Sequence, residues 1–207
     1  MNNNITHKLA ALLNVLQNIA IVITFTLAFS SSYISGCSME GTLHENDTCL
    51  INKFATKNLD TYDIIIFKPY YTKDDHYIKR IIATEGDTIE IKNNIIYVNS
   101  QAVDHSAFTK YAKNTYADMT RQTVPEDSYF VLGDNRGHSL DSRDPRIGFV
   151  HESQIKAKML VNLTQVIGLN RIDFLWLVGI LTFIIAVLYI ILFVSYKHES
   201  TQSSPAH

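Results

Sequence analysis

The 207 residues contain only two cysteines, Cys37 and Cys49. That excludes a disulfide scaffold, and no Cys/His group has the spacing of a zinc site, so neither a metal nor another cofactor is expected. Spacing alone leaves a Cys37–Cys49 bond outside the cytoplasm open. A basic excess is missing as well: 18 Lys and Arg stand against 20 Asp and Glu. With no positive block to release counterions from phosphates, nucleic acid is set aside as a partner. No internal repeat or low-complexity tract occurs. Charge itself is scarce, at 18%, while hydrophobic residues reach 46%, which is apolar-rich for one soluble domain of this length.

The apolar excess has two seats. Residues 174–194 run for 21 positions without a charge, enough to cross a ~30 Å hydrocarbon core as a helix. A buried core helix of that kind, apolar all round, would need a larger protein to surround it. The second seat, Leu9 to Phe29, is interrupted by Asn14, Gln17, Asn18 and two threonines. Those three amides share one helix face, which suits packing against another membrane helix or lying in the interface. His7 and Lys8 before the first run and Lys197 after the second favour cytoplasmic termini, with Arg171 dissenting on the outer side. The expected organisation is a cytoplasmic tail (1–8), a transmembrane helix (9–31), an extracytoplasmic domain (32–170), a second transmembrane helix (173–195) and a cytoplasmic tail (196–207). A competing reading makes Ile34-Ser35-Gly36-Cys37 a lipoprotein processing site with lipid on Cys37. Ser30-Ser31-Ser32-Tyr33, which separates the apolar core from that site, speaks against it.

Between the two runs the period changes. Residues 48–54, 63–67, 76–83, 88–91, 95–98 and 129–132 are short and rich in isoleucine, valine and aromatics. Turn signals divide them at Glu85-Gly86-Asp87, Lys92-Asn93-Asn94 and Gly133-Asp134-Asn135. The fold class predicted is mainly β, an antiparallel domain of roughly 130 residues with its own core, anchored at both ends by helices. Residues 105–123 lack a strong pattern and read as an inserted loop or hairpin.

Two stretches carry chemistry. Ser35-Gly36-Cys37-Ser38-Met39-Glu40-Gly41-Thr42-Leu43 puts a hydroxyl and a turn at the mouth of the first run. Tyr77-Ile78-Lys79-Arg80-Ile81-Ile82 sets one lysine among apolar, β-branched side chains. A serine hydroxyl is a poor nucleophile until a neighbour takes its proton, and a lysine can do so only when desolvation lowers its pKa. Bringing an ammonium from ~10.4 to ~8 costs roughly 3 kcal/mol of its preference for charge. Ser38 is read as nucleophile and Lys79 as base.

Taken together the segments resemble the bacterial type I signal (leader) peptidases, serine/lysine enzymes that cut signal peptides from exported proteins. Ser38-Met39-Glu40-Gly41-Thr42-Leu43 is similar to the family's Ser-Met-x-Pro-Thr-Leu box. Asn46-Asp47 through Lys53-Phe54 is similar to its Gly-Asp-x-x-x-Val-x-Lys-Phe strand. Tyr77-Ile78-Lys79-Arg80 with Glu85-Gly86-Asp87 resembles the lysine box, and Tyr129 to Arg136 with Ser139-Leu140-Asp141-Ser142-Arg143 the last box. The resemblance covers most of residues 35–160. It implies that Ser38 is the nucleophile and Lys79 the general base, that Ser139 holds the lysine amine in line, and that Asp141 and Arg143 form an ion pair bracing the loop. The Ser38 backbone N–H would serve the oxyanion. A serine two residues earlier helps some members, and here that position is Gly36. The implied partners are preprotein signal peptides and the lipid bilayer, the implied location is the bacterial cytoplasmic membrane, and a monomer is expected.

Gly41 replaces the box's proline, Asn46 replaces a glycine, and Asp144-Pro145-Arg146-Ile147 lengthens the segment before Gly148. Rival readings are a specialised relative maturing one pilin-like substrate, a self-cleaving repressor, which two membrane spans disfavour, and an inactive anchored adaptor, whose mark would be a missing Ser38 or Lys79. Outside the boxes, His44, His76, His105, His138 and His151 sit in no motif; His138, beside Ser139, is the one placed to join a serine/histidine pair.

Overall fold

The computed structural model describes residues 10, 13–21, 24, 28–103, 118–168 and 171–202. Eleven strands appear among them: β1 (Phe29–Tyr33), β2 (Thr48–Asn52), β3 (Ile64–Phe67), β4 (Tyr77–Ala83), β5 (Thr88–Lys92), β6 (Ile95–Val98), β7 (Gln101–Ala102), β8 (Met119–Thr123), β9 (Ser128–Leu132), β10 (Val150–His151) and β11 (Ile155–Asn162). Two helices follow, α1 (Leu163–Ile167) and α2 (Arg171–Gln202). A seven-stranded sheet has the order β1-β2-β11-β3-β4-β9-β10 and a four-stranded sheet the order β7-β6-β5-β8. Every pairing is antiparallel.

The six strands expected from β-branched runs all form. β3 and β9 are buried at every residue because each lies between neighbours, in the sequence signature of a strand covered on both faces. The β4/β9 ribbon of the large sheet runs on into the β5/β8 ribbon of the small one. At the joint Gly86 N–H donates to Val124 O (3.0 Å) and Val124 N–H to Asp87 O (2.8 Å). Ile65, Phe67, Ile81 and Val131 fill one core on the large sheet. Ile82, Ala83, Ile89, Ile91, Ile96, Phe130 and Leu132 fill a second. Burying each isoleucine is worth ~1.5–3 kcal/mol.

Three expectations change. Phe29, Ser30 and Ser31, assigned to the first membrane helix, belong to β1, where the main chain of Ser30, Ser31 and Ser32 pairs with Ile51, Leu50 and Cys49; ladder bonding on a sheet edge outweighs the weak pattern. Met119–Thr123, placed in the insertion, form β8 against β5, while residues 104–117 lie outside the described set. Ile155–Asn162, given no element, form the long strand between β2 and β3. Ile155, Ala157 and Met159 alternate with Lys156 and Lys158 in the period-2 pattern of a half-buried strand, which the strand assignment passed over; the register shift between Met159 and Val161 ends that alternation.

Residues 13–21 are helical, and Asn18 Nδ2 donates to Tyr189 Oη on α2 at 2.7 Å. α2 spans 32 residues and exposes Trp176, Phe183 and Phe193. Among the described residues, no helix is long and apolar enough to cross a membrane. Residues 1–9, and the side chains of Phe174, Leu175 and Leu192 within the run read as a span, lie outside the described set.

Candidate active site

The loop after β1 is built as a plug with a hydroxyl beside it. Met39 and Leu43, 1% and 0% exposed, pack with Ile34, Cys49 and Ile64, and Leu43 N–H closes a turn on Met39 O at 2.9 Å. Burying Met39 leaves Ser38, its neighbour, only half-buried. The loop is tied down from β9's end: Asn135 N–H donates to Ser38 O (3.0 Å) and Asn135 Nδ2 to Cys37 O (3.0 Å). Gly41 stands at φ +103°, where a proline, fixed near −65°, cannot sit; the departure from the box therefore changes the backbone and not only a side chain. Asn46 stands at φ +73°, the left-handed region that asparagine tolerates best after glycine. That explains how it stands in for the pattern's glycine.

Alternation along β4 puts Tyr77, Lys79 and Ile81 on one face. Lys79 lies opposite Ile65 and is 1% exposed. Its Nζ sits 2.7 Å from Ser38 Oγ and donates to Ile78 O at 2.9 Å. Burial pushes the amine down from 10.5 to about 8, with Asp141 and Asp134 pulling the other way and Arg143 assisting. A hydroxyl and an amine at hydrogen-bonding distance, the amine half-stripped of its preference for charge, can exchange a proton.

Asp141 and Arg143 meet in a bidentate pair, Nε to Oδ1 at 2.7 Å and Nη2 to Oδ2 at 2.8 Å. Asp141 also accepts from Gly133 N–H at 3.0 Å, and Arg143 Nη2 donates to Arg136 O at 2.8 Å. The carboxylate so fixed is part of the field at Lys79. Ser139 makes no hydrogen bond to the Lys79 amine. Its Oγ is buried and has no hydrogen-bond partner among the described residues; the amine's second acceptor is the Ile78 carbonyl instead. Ser139 packs over Gly133, where an added Cβ would lie 2.2 Å from Ser139 Oγ and 2.5 Å from Ser38 O, so only glycine fits.

One group the sequence reading quoted but gave no role is the cluster on the other face of β4. Arg80 grips Asp134 through Nε to Oδ1 (3.0 Å) and Nη2 to Oδ2 (2.7 Å), and Thr42 Oγ1 donates to the same carboxylate at 2.6 Å. Lysine strand, last box and nucleophile loop thus meet at one buried charge pair. The signal was available: an arginine inside an apolar strand has to find a carboxylate. His138 is exposed, and the side-chain nitrogen bonded to Ser38 Oγ is Lys79 Nζ. Neither cysteine is bonded; burial, then Asp47, pushes the Cys49 thiol up to about 12.

The family model described as "Signal peptidase, peptidase S26" matches residues 7–163. The chain belongs to the signal peptidase family. A signal peptidase I of Bacillus caldolyticus is 36% identical over 155 residues, 68% of this chain and 83% of that one. Signal peptidase I S of Bacillus subtilis strain 168 is 36% identical over 153 residues, 66% and 81% of the two chains. A crystal structure of a signal peptidase I from Enterococcus faecalis covers 51% of this chain and 98% of its own at 33% identity, with a TM-score of 0.41. This signal peptidase family member is a serine endopeptidase, a hydrolase, and the family match takes in the segment that a lipoprotein reading of Cys37 would remove.

Proposed function

We propose that this peptidase removes signal peptides from exported preproteins with Ser38 as nucleophile and Lys79 as general base. The reading is carried by one observation, the 2.7 Å approach of Lys79 Nζ to Ser38 Oγ inside a buried environment. With its pKa near 8, roughly one lysine in ten is neutral at pH 7, enough to serve as the resting base. Ser38 Oγ attacks the scissile carbonyl carbon while its proton passes to Nζ. The oxyanion forms against the Ser38 backbone N–H, and Gly36 offers no side-chain donor beside it. The Lys79 ammonium returns the proton to the leaving amine as the C–N bond breaks. Water then gives a proton to Nζ as it adds to the acyl ester, and the Lys79 ammonium returns that proton to Ser38 Oγ as the ester C–O bond breaks and the carboxylic acid product leaves. Asp141 and Arg143 brace the last-box loop, and Ser139 is reserved for an aligning role once the amine turns from the Ile78 carbonyl.

The site works on the outer face of the bacterial cytoplasmic membrane. Supporting that placement are the uncharged run 174–194, the apolar side chains that α2 leaves exposed, and the Asn18–Tyr189 bond joining the two helices. Anchoring enzyme and substrate in one bilayer raises their effective concentration. The test is cleavage of a preprotein in detergent by Ser38→Ala and Lys79→Ala variants. Each is expected to fall by at least ~10³-fold, and normal processing by either one ends the reading.

A further inference from the structure

Resting on Lys79 as base, we propose that the aromatic ring of Tyr77 is a positioning residue for it: the ring face holds the Lys79 amine toward Ser38 and stabilises the ammonium that forms as the hydroxyl attacks. Two residues apart on one strand face, Tyr77 and Lys79 are neighbours by alternation, and Nζ lies 5.5 Å from the ring centroid. That is within the ~6 Å over which an aromatic face attracts a cation. The ring is itself held in place. It packs edge-to-face on Phe67 (6.1 Å between centroids, 61°), and its hydroxyl accepts from Tyr71 Oη at 2.7 Å.

The amine's surroundings leave room for this role. Among the described residues, Ser38 Oγ and Ile78 O are its hydrogen-bond partners, and Ser139 Oγ has none. The charged and titratable groups acting on Nζ are Asp141 and Asp134, which favour the ammonium, Arg143, which opposes it, and Cys37. The quadrupole of Tyr77 adds to the first two. In the active form, whose Lys79 amine is neutral, the charge appears only as Ser38 attacks, so above the lysine's pKa an interaction that prefers the ammonium is stronger in the transition state than before it, which is the kind that raises kcat.

The experiment replaces Tyr77 by phenylalanine and then by phenylalanines carrying one to five ring fluorines, which drain the negative face at nearly constant shape. Preprotein cleavage is followed across pH 6–10. Tyr77→Phe is expected to keep the wild-type profile. Successive fluorines should lower the plateau kcat/KM stepwise, to about tenfold at the end of the series, the middle of the range for a partly desolvated cation–π contact. They should also move the acid limb toward lower pH, since the ammonium is less favoured. A ring that only fills space would leave both quantities flat along the series, and that outcome overturns the inference. So would Tyr77→Phe losing as much as the fluorinated rings, because the Tyr71 bond would then be what matters. The dyad reading fails separately, through an active Lys79→Ala.

Discussion

Two aspartate–arginine pairs with the same spacing lie three residues apart on this chain and live in different worlds. Asp141 and Arg143 close their bidentate pair with the carboxylate wholly buried and the arginine 20% exposed. Asp144 and Arg146 copy the geometry, at 2.9 and 2.8 Å, with the arginine 64% exposed and the aspartate 29%. The inner carboxylate also receives the Gly133 N–H and acts on Lys79; the outer pair reaches Tyr71 and, through Arg146, Tyr77, but is not among the groups acting on Lys79. Geometry is shared, so burial and what each carboxylate touches decide which pair acts on the Lys79 amine. Water screens the outer pair, whereas the inner one works where a charge is felt across several ångströms.

Breaking the inner pair should have the largest effect. Asp141→Ala takes the carboxylate away from a mostly buried guanidinium, which keeps Arg136 O, and from the Gly133 N–H, and the expected loss is ~3–5 kcal/mol of folding stability in a urea titration. Asp141→Asn keeps the shape and removes the charge, so it separates fold from field. Asp141 raises the Lys79 pKa while Arg143 lowers it. With the aspartate neutral and the arginine still present, the acid limb of kcat/KM should move to lower pH. An unmoved limb would mean that the inner pair is a brace without an electrostatic role.

The same contrast marks what could be read before folding. Ser38 and Lys79 were legible because their boxes are local, and β3 to β6 and β9 because isoleucine-rich runs announce a buried strand. β11 was passed over although Ile155, Ala157 and Met159 alternate with Lys156 and Lys158; what the sequence does not show is its place between β2 and β3, far away in the chain. β1 and β8 were hidden because Ser30–Ser32 and Thr120–Thr123 are strands by ladder bonding, with little apolar pattern of their own. The partnership of Thr42, Arg80 and Asp134 joins three boxes that the sequence lists separately, and only the sheet order brings them together. Nor does any local signal distinguish Asp141–Arg143 from Asp144–Arg146, since depth is a property of the packed loop.

Lys79 sharpens the comparison from the other side, as the buried charge that has no carboxylate of its own. Its folded pKa of about 8 lies below the ordinary 10.5. Under pH 8 the lysine is protonated in both states, and the folded chain bears the whole desolvation cost, roughly 3 kcal/mol. Between pH 8 and 10.5 the unfolded chain binds the proton that the folded one has released, so stability rises with pH; above 10.5 the cost is gone. Lys79→Met should therefore be inactive yet up to ~3 kcal/mol more stable than wild type at pH 7. The gap between the two should close across pH 8–10.5 in urea titrations. A constant gap would show that the amine is not desolvated.

The smallest effect belongs to the outer pair. Arg146→Ala removes an exposed guanidinium whose partner keeps its contact with water, and exposed pairs of this kind contribute little to folding because screening and side-chain ordering offset their attraction. Loss of the arginine frees Asp144 from the contact that holds its carboxyl down at about 2, but no element of the sheet depends on that carboxyl. The midpoint of urea unfolding at pH 7 should therefore stay where it is, and the acid limb of kcat/KM should not move, because the charged and titratable groups that act directly on Lys79 are the inner pair, Asp134 and Cys37, while Arg146 acts on Tyr71 and Tyr77. A displaced limb in Arg146→Ala would put the outer arginine inside the field of the base and erase the distinction between the two turns.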